Sequence, residues 1–145
     1  MMSNVHASMM VVNGHGILIT GASGVGKSDL CLQLLDRGHL FVADDMVRCE
    51  KQGQQIIGSL PIHAKPQIAI RDIGIIDVEQ HFGRQCICDR HPIHLAIHLT
   101  DGRPSHNPLE TQASFYQCLD RHLPQWILTT APHRRLDLLA ELLAK

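Results

Sequence analysis

Apolar residues fall into short, dense runs along this chain, separated by glycine, proline and charged clusters. "SMMVV" and "GILIT" each read as a buried strand, with "GHG" as a turn. "KSDLCLQLLDRG" changes period: Leu30, Leu34 and Leu35 form one helical stripe, and Gly38 marks its stop. "HLFVADD" returns to a strand and ends in two acids. "MVRCEKQGQQIIGSL" predicts a hairpin around Gly53, and "IAIRDIGIIDVEQHF" mixes strand and loop. In "HPIHLAIHL", Ile93, Leu95, Ile97 and Leu99 alternate with His94, Ala96 and His98, which predicts a strand. "TQASFYQCLDRHL" predicts a helix, "WILTTA" a short strand, and "RRLDLLAELLAK" an amphipathic terminal helix. Strands and helices interleave, so the expectation is one α/β sheet domain over residues 1–145.

Composition agrees with one domain. The chain has 145 residues, enough to bury a core without staples, and 44% are apolar, which excludes a disordered chain. A net charge of -1 gives no electrostatic footprint for nucleic acid or an anionic membrane. No apolar run approaches the ~20 residues that span a bilayer. Five cysteines, an odd count without a secretory leader, predict reduced thiols and a cytoplasmic location. Eleven histidines raise the question of a metal, since Cys86, Cys88, His91, His94 and His98 lie close together. Their spacing is strand alternation, not the turn spacing of zinc ligands, and solvated strand histidines are the reading adopted.

The strongest chemistry lies in "GILITGASGVGKSD". Gly21, Ala22, Ser23, Gly24, Val25, Gly26, Lys27 and Ser28 satisfy G-x4-G-K-[ST] between a strand and a helix. The glycines let successive backbone N–H groups face phosphate oxygens. Lys27 reaches the β/γ-phosphates, Ser28 can ligate Mg²⁺, and the helix presents its positive end. Asp44 and Asp45 end an apolar strand expected beside the loop strand. One acid can hold Mg²⁺ through water, and the other can accept a proton from an attacking hydroxyl. The residues alone therefore describe a nucleotide-phosphate enzyme with a carboxylate base.

Three blocks resemble the catalytic domain of HPr kinase/phosphorylase. They are "GHGILITGASGVGKSDLCLQLLDRGHLFVADD", "AIRDIGIIDV" and, more loosely, "TTAPHRRLDLLAEL". The resemblance implies a P-loop nucleotide-binding domain of the HPr kinase and phosphoenolpyruvate carboxykinase type, assembled as a homohexamer. It implies ATP and Mg²⁺, and a serine of HPr or an HPr-like phosphocarrier as acceptor. In the reverse sense, phosphate strips that serine and pyrophosphate is released. Longer members carry an extra N-terminal domain, and this chain resembles the short members consisting of the catalytic domain.

Carried over by position, His6 is an active-site histidine, Lys27 the loop lysine, and Ser28 a Mg²⁺ ligand with Asp44 beside it. Asp45 is the acid that takes the serine proton. Arg71 and Gly74 belong to the signature loop, Arg121 matches a catalytic arginine, and Arg134 matches the arginine of the third block. The departures are specific. Ala69 stands where the signature has a Mg²⁺-binding glutamate, and Asp72, three residues on, replaces a glycine and can supply the missing charge. Thr129 and His133 replace a proline and a glycine in the segment tied to dephosphorylation. The alternatives are a regulatory nucleotide-binding module that has lost turnover, and a kinase of a different acceptor.

Overall fold

Two apolar runs, β2 (Ser8–Val12) and β3 (His15–Gly21), are buried on both faces and so lie inside the sheet. The computed structural model describes residues 1–102 and 115–145. Its main sheet runs β1 (Met2–Val5), β5 (Val47–Gln52), β6 (Gln55–Ser59), β9 (Arg90–Thr100), β3, β2 and β4 (Leu40–Ala43). β11 (Arg121–Thr129) also pairs with β9, and β10 (Phe115–Cys118) with β11. A separate hairpin joins β7 (Gln67–Ile70) to β8 (Gly74–Asp77). The helices are α1 (Lys27–Asp36), α2 (Val78–Phe82) and α3 (Leu136–Leu143), with a 3-10 turn at Arg84–Cys86.

Strand direction positions the site. β3, β9 and β11 are parallel. β2 lies antiparallel between β3 and β4, so β4 runs the same way as β3. The carboxyl ends of β3, β4, β9 and β11 share one edge with the amino end of β2, the edge where α/β sheets bind ligands. The acid-bearing strand is thus one place further from the loop strand than the sequence suggests. The tight Asn13-Gly14 turn pairs β2 with β3 as a hairpin, and β2 occupies the position beside the loop strand. That insertion brings the His6–Ser8 segment to the edge.

Neighbouring residues of the central strands feed two core layers. Met10, Val12, Ile17 and Ile19 pack with Leu30, Cys31, Leu34 and Leu35 of α1. Met9, Val11 and Leu18 face Val42, Val47, Cys49 and Ile56 on the other side. The stripe expected on α1 is the one buried, and each such leucine contributes about 1.5–3 kcal/mol by leaving water. α3 is tied to the end of α1 through Glu141, whose Oε1 accepts from Arg37 Nη2 at 2.7 Å while Oε2 lies 2.7 Å from His39 Nε2.

Of the helix expected over "TQASFYQCLDRHL", the described part, residues 115–123, is strand and turn instead. Residues 111–114 lie outside the described residues, and β10 and β11 form a hairpin across Leu119 and Asp120. Phe115 and Tyr116 favour strand, Cys118 and Leu123 are buried from alternating positions, and Leu119 takes a φ of 57° at the turn.

The β9 histidines are solvated only in part: His94 is exposed, whereas His91 and His98 are half-buried. His98 is half-buried, with Nδ1 2.9 Å from Thr20 Oγ1. His94 Nδ1 accepts from the Gly16 amide at 3.0 Å, and its ring meets those of His15 and His91 at centroid distances of 5.3 and 5.8 Å. Among the described residues, no group of three or more His, Cys, Asp or Glu is placed to hold a metal. Desolvation first, then His15 and His91, lower the pKa of His94. The unfolded chain therefore binds this proton more readily, so the contribution of His94 to stability is full above the ordinary histidine value of about 6.5 and falls as pH drops below it. Wild type should lose melting temperature between about pH 7.5 and 5.5, and His94→Asn, which keeps an acceptor that does not titrate, should lose less. Equal slopes in thermal melts would contradict this.

Candidate active site

The loop from Gly21 to Ser28 is shaped by close backbone approaches. Gly21 has φ 142°, and a Cβ there would stand 2.7 Å from the Leu99 carbonyl oxygen. Gly24 has φ 82°, and a Cβ there would meet the Arg71 guanidinium at 3.0 Å. Arg71 thus lies over the loop from the end of β7. Gly26 caps α1, and the first turn of that helix supplies both Lys27 and Ser28.

Lys27 is buried, at 8% exposure. Its Nζ donates to Gly21 O at 2.7 Å and Ala22 O at 3.0 Å. Among the described residues, no carboxylate forms an ion pair with it. A desolvated ammonium held only by neutral carbonyls favours an anion at its open side. Asp44 receives two hydroxyls: Ser8 Oγ donates to Oδ1 at 2.6 Å and Ser28 Oγ to Oδ2 at 2.8 Å. Asp45 turns the other way, with φ 71° and an 81% exposed side chain, and its Oδ1 lies 3.1 Å from His6 Nε2. A left-handed aspartate is uncommon, and such conformers gather at functional sites. Beneath, Cys31 is fully buried on α1, and burial with Asp44 pushes its thiol pKa up, so it packs and does not react.

These groups border one cavity of about 290 Å³, lined by His6, the loop from Ser23 to Ser28, Asp44, Asp45, Ala69 and Arg71. The structure therefore brings together His6, Lys27, Ser28, Asp44, Asp45 and the loop. Hydroxyl and carboxylate oxygens at Ser28 and Asp44 suit a hard cation such as Mg²⁺, and the loop with Lys27 suits phosphate. The sequence reading missed Ser8. Its only signal is a hydroxyl at the head of an apolar run two residues after His6.

Other expected residues fall elsewhere. Arg121 begins β11 at the opposite edge of the sheet, where Nη1 donates to Gln54 Oε1 at 2.7 Å, and it does not reach the cavity within one chain. Asp72 sits in the β7–β8 turn with φ 72°, exposed and outside the cavity lining. Gly74 opens β8, also outside it. Arg134 donates from Nη1 to Thr129 O at 3.0 Å and borders a groove on the far side of α1's first turn.

Comparison with known proteins follows the same lines. The HPr Serine kinase C-terminal domain family model matches residues 1–145. The HPr kinase/phosphorylase of Caldicellulosiruptor bescii is 34% identical over 142 residues, covering 96% of this chain and 46% of that protein. The HPr kinase/phosphorylase of Geobacillus thermodenitrificans is 36% identical over 143 residues, covering 97% of this chain and 46% of that protein. The chain thus spans about half the length of the curated relatives it matches. The solved structure of the Hpr(Ser) kinase/phosphatase from Coxiella burnetii superposes with a TM-score of 0.85 at 37% identity, covering 97% of this chain and 87% of that one. An α/β nucleotide-binding fold, the loop and its acids, and a family match along the whole length agree: the chain belongs to the HPr serine kinase C-terminal domain family.

Proposed function

We propose that the chain is the catalytic domain of an ATP-dependent protein serine kinase that acts on HPr or an HPr-like phosphocarrier. The observation that carries this reading is the paired placement of the two acids. Asp44 is drawn inward onto Ser28 at the phosphate loop, and Asp45 is turned outward beside His6 at the mouth. An exposed carboxylate there is within reach of a serine presented by another protein. The similarity to relatives named HPr kinase/phosphorylase supports the same acceptor.

The loop amides and Lys27 bind and orient the phosphates, with Lys27 turning from Gly21 O and Ala22 O to the β/γ oxygens. Ser28 and Asp44 would hold Mg²⁺, which supplies charge neutralisation on the phosphates. Asp45 accepts the serine proton, and His6 orients that carboxylate. The serine oxygen bonds to the γ-phosphorus, the bond to the bridging oxygen breaks, and ADP leaves with the electron pair. Arg71, over Gly24, adds positive charge beside the transferring group. In the dephosphorylating sense a phosphate oxygen bonds to the phosphoserine phosphorus, the bond to the serine oxygen breaks, Asp45 returns the proton to that oxygen, and pyrophosphate leaves. Homohexameric assembly completes the proposal. It is supported by the family resemblance and by Ile73 and Ile75, 74% and 72% exposed on the hairpin beside the cavity.

Ala69 favours a second reading, a weakened regulatory module, because it leaves a methyl group on the cavity wall where a carboxylate is expected. Incubating the protein with γ-labelled ATP, Mg²⁺ and its own HPr-like proteins separates the two. Label on a serine supports the kinase, and nucleotide binding without transfer supports the module.

Lys27→Ala should lower transfer at least ~10²-fold with the fold intact, as loss of a preorganised electrostatic donor does. Transfer near the wild-type rate would defeat the loop assignment. Asp45→Asn should keep nucleotide affinity and lose serine phosphorylation, and an unchanged rate would pass the base role to Asp44. The Mg²⁺ requirement gives a third measurement. Ala69→Glu should reduce the Mg²⁺ needed for half-maximal rate, whereas Asp72→Gly, outside the cavity, should leave it unaltered. Coincident titrations for wild type and Ala69→Glu would show that position 69 does not govern the metal.

A further inference from the structure

The phosphate loop has a second open side. Gly21 to Val25 form one wall of a crevice of about 580 Å³, and the carboxyl ends of β9 and β11 form the other, with Thr100, Ile127 and Thr130 among its residues. The cavity on the acid side measures about 290 Å³. We infer that the crevice holds the nucleoside of the bound nucleotide, with Ile127 and Thr130 as its positioning residues. The inference rests on the phosphate-loop reading above and adds where the rest of the substrate goes.

Three observations carry it. The first is direction. The reacting end of the phosphate chain belongs beside Asp45 and His6, at one mouth of the loop. Ser23, Gly24 and Val25 line both cavities, so a chain of phosphates crossing them delivers its nucleoside to the other mouth. The second is topology. In the sheet, β2 and β4 with the two acids lie on one side of β3, and β9 and β11 lie on the other. The crevice is at the carboxyl ends of three parallel strands, where such sheets leave room for a ligand. The third is chemistry and size. The volume is within the ordinary range for small-molecule pockets, roughly 300–1,000 Å³. Ile127 and Val25 offer apolar surface to a base. Thr130 Oγ1 donates to Thr100 O at 3.2 Å, which leaves its lone pairs to accept from a ribose hydroxyl. The groove beside α1 is the weaker candidate, because it shares only Val25 and Gly26 with the loop and is bordered by Arg134 and Arg135.

Calorimetric titration of the intact chain with Mg·ADP and, separately, with pyrophosphate tests this. Pyrophosphate reads the loop alone, and ADP reads loop and crevice together. Ile127→Trp and Thr130→Trp should each weaken ADP at least about tenfold while pyrophosphate stays within about twofold, and Lys27→Ala should weaken both. Thr130 lies beyond the strand end, so its variant keeps the test alive if Ile127→Trp misfolds in a thermal melt. ADP affinity unchanged in the folded variants overturns the inference, as does equal weakening of ADP and pyrophosphate, and either result leaves the loop reading standing. A wild type that binds neither ligand overturns both.

Discussion

Asp44 holds three elements with one carboxylate. Its Oδ1 accepts from Ser8 at the head of β2, its Oδ2 accepts from Ser28 in the first turn of α1, and the residue itself follows β4. Charge-assisted bonds of this kind are short and about twice as strong as neutral ones. The bridge is possible only because β2 runs antiparallel between β3 and β4, so that its amino end meets their carboxyl ends. It also explains why two successive acids face different ways. With Asp44 fixed inward, the left-handed turn at Asp45 sends the second carboxylate outward to His6 and the open mouth.

The lysine beside this bridge shows the same economy. Lys27 is buried against the loop's own carbonyls, and among the described residues no carboxylate pairs with it. Arg71 arrives from a different element and closes the loop from above. The hairpin that carries Arg71 also carries Ala69, so any change in metal demand and any change in loop coverage are built on one short element.

Much of this was legible in the sequence, for a physical reason. The loop, its helix and the acid pair are local motifs, and local motifs survive translation into structure. What the sequence hid was non-local. Nothing in "SMMVV" announces that Ser8 will meet Asp44, because that contact depends on strand order. Arg121 matches a catalytic arginine by resemblance, and only the strand order shows that within one chain it begins β11 at the opposite edge of the sheet, bonded to Gln54. The β10–β11 hairpin is hidden in the sequence because its turn is made by Leu119 at positive φ, which leucine does not signal. Two departures from the family pattern become clearer in the structure. Asp72 and His133 both replace expected glycines, and both keep the glycine-like conformation, with φ of 72° and 67°. Each residue thus carries a side chain at a backbone angle that glycine adopts without strain, so both turns combine new side-chain chemistry with local strain.

The central claim is that one edge of the sheet forms a phosphate and metal site around Lys27, Ser28 and Asp44. A crystal structure with Mg²⁺ and a non-hydrolysable ATP analogue tests it most directly. The account predicts that Lys27 Nζ leaves the Gly21 and Ala22 carbonyls for the β/γ-phosphate oxygens. It also predicts that Ser28 Oγ turns from Asp44 to the metal, with Asp45 left free at the mouth. Lys27 still seated on the two carbonyls, with the analogue bound away from the loop, would contradict it.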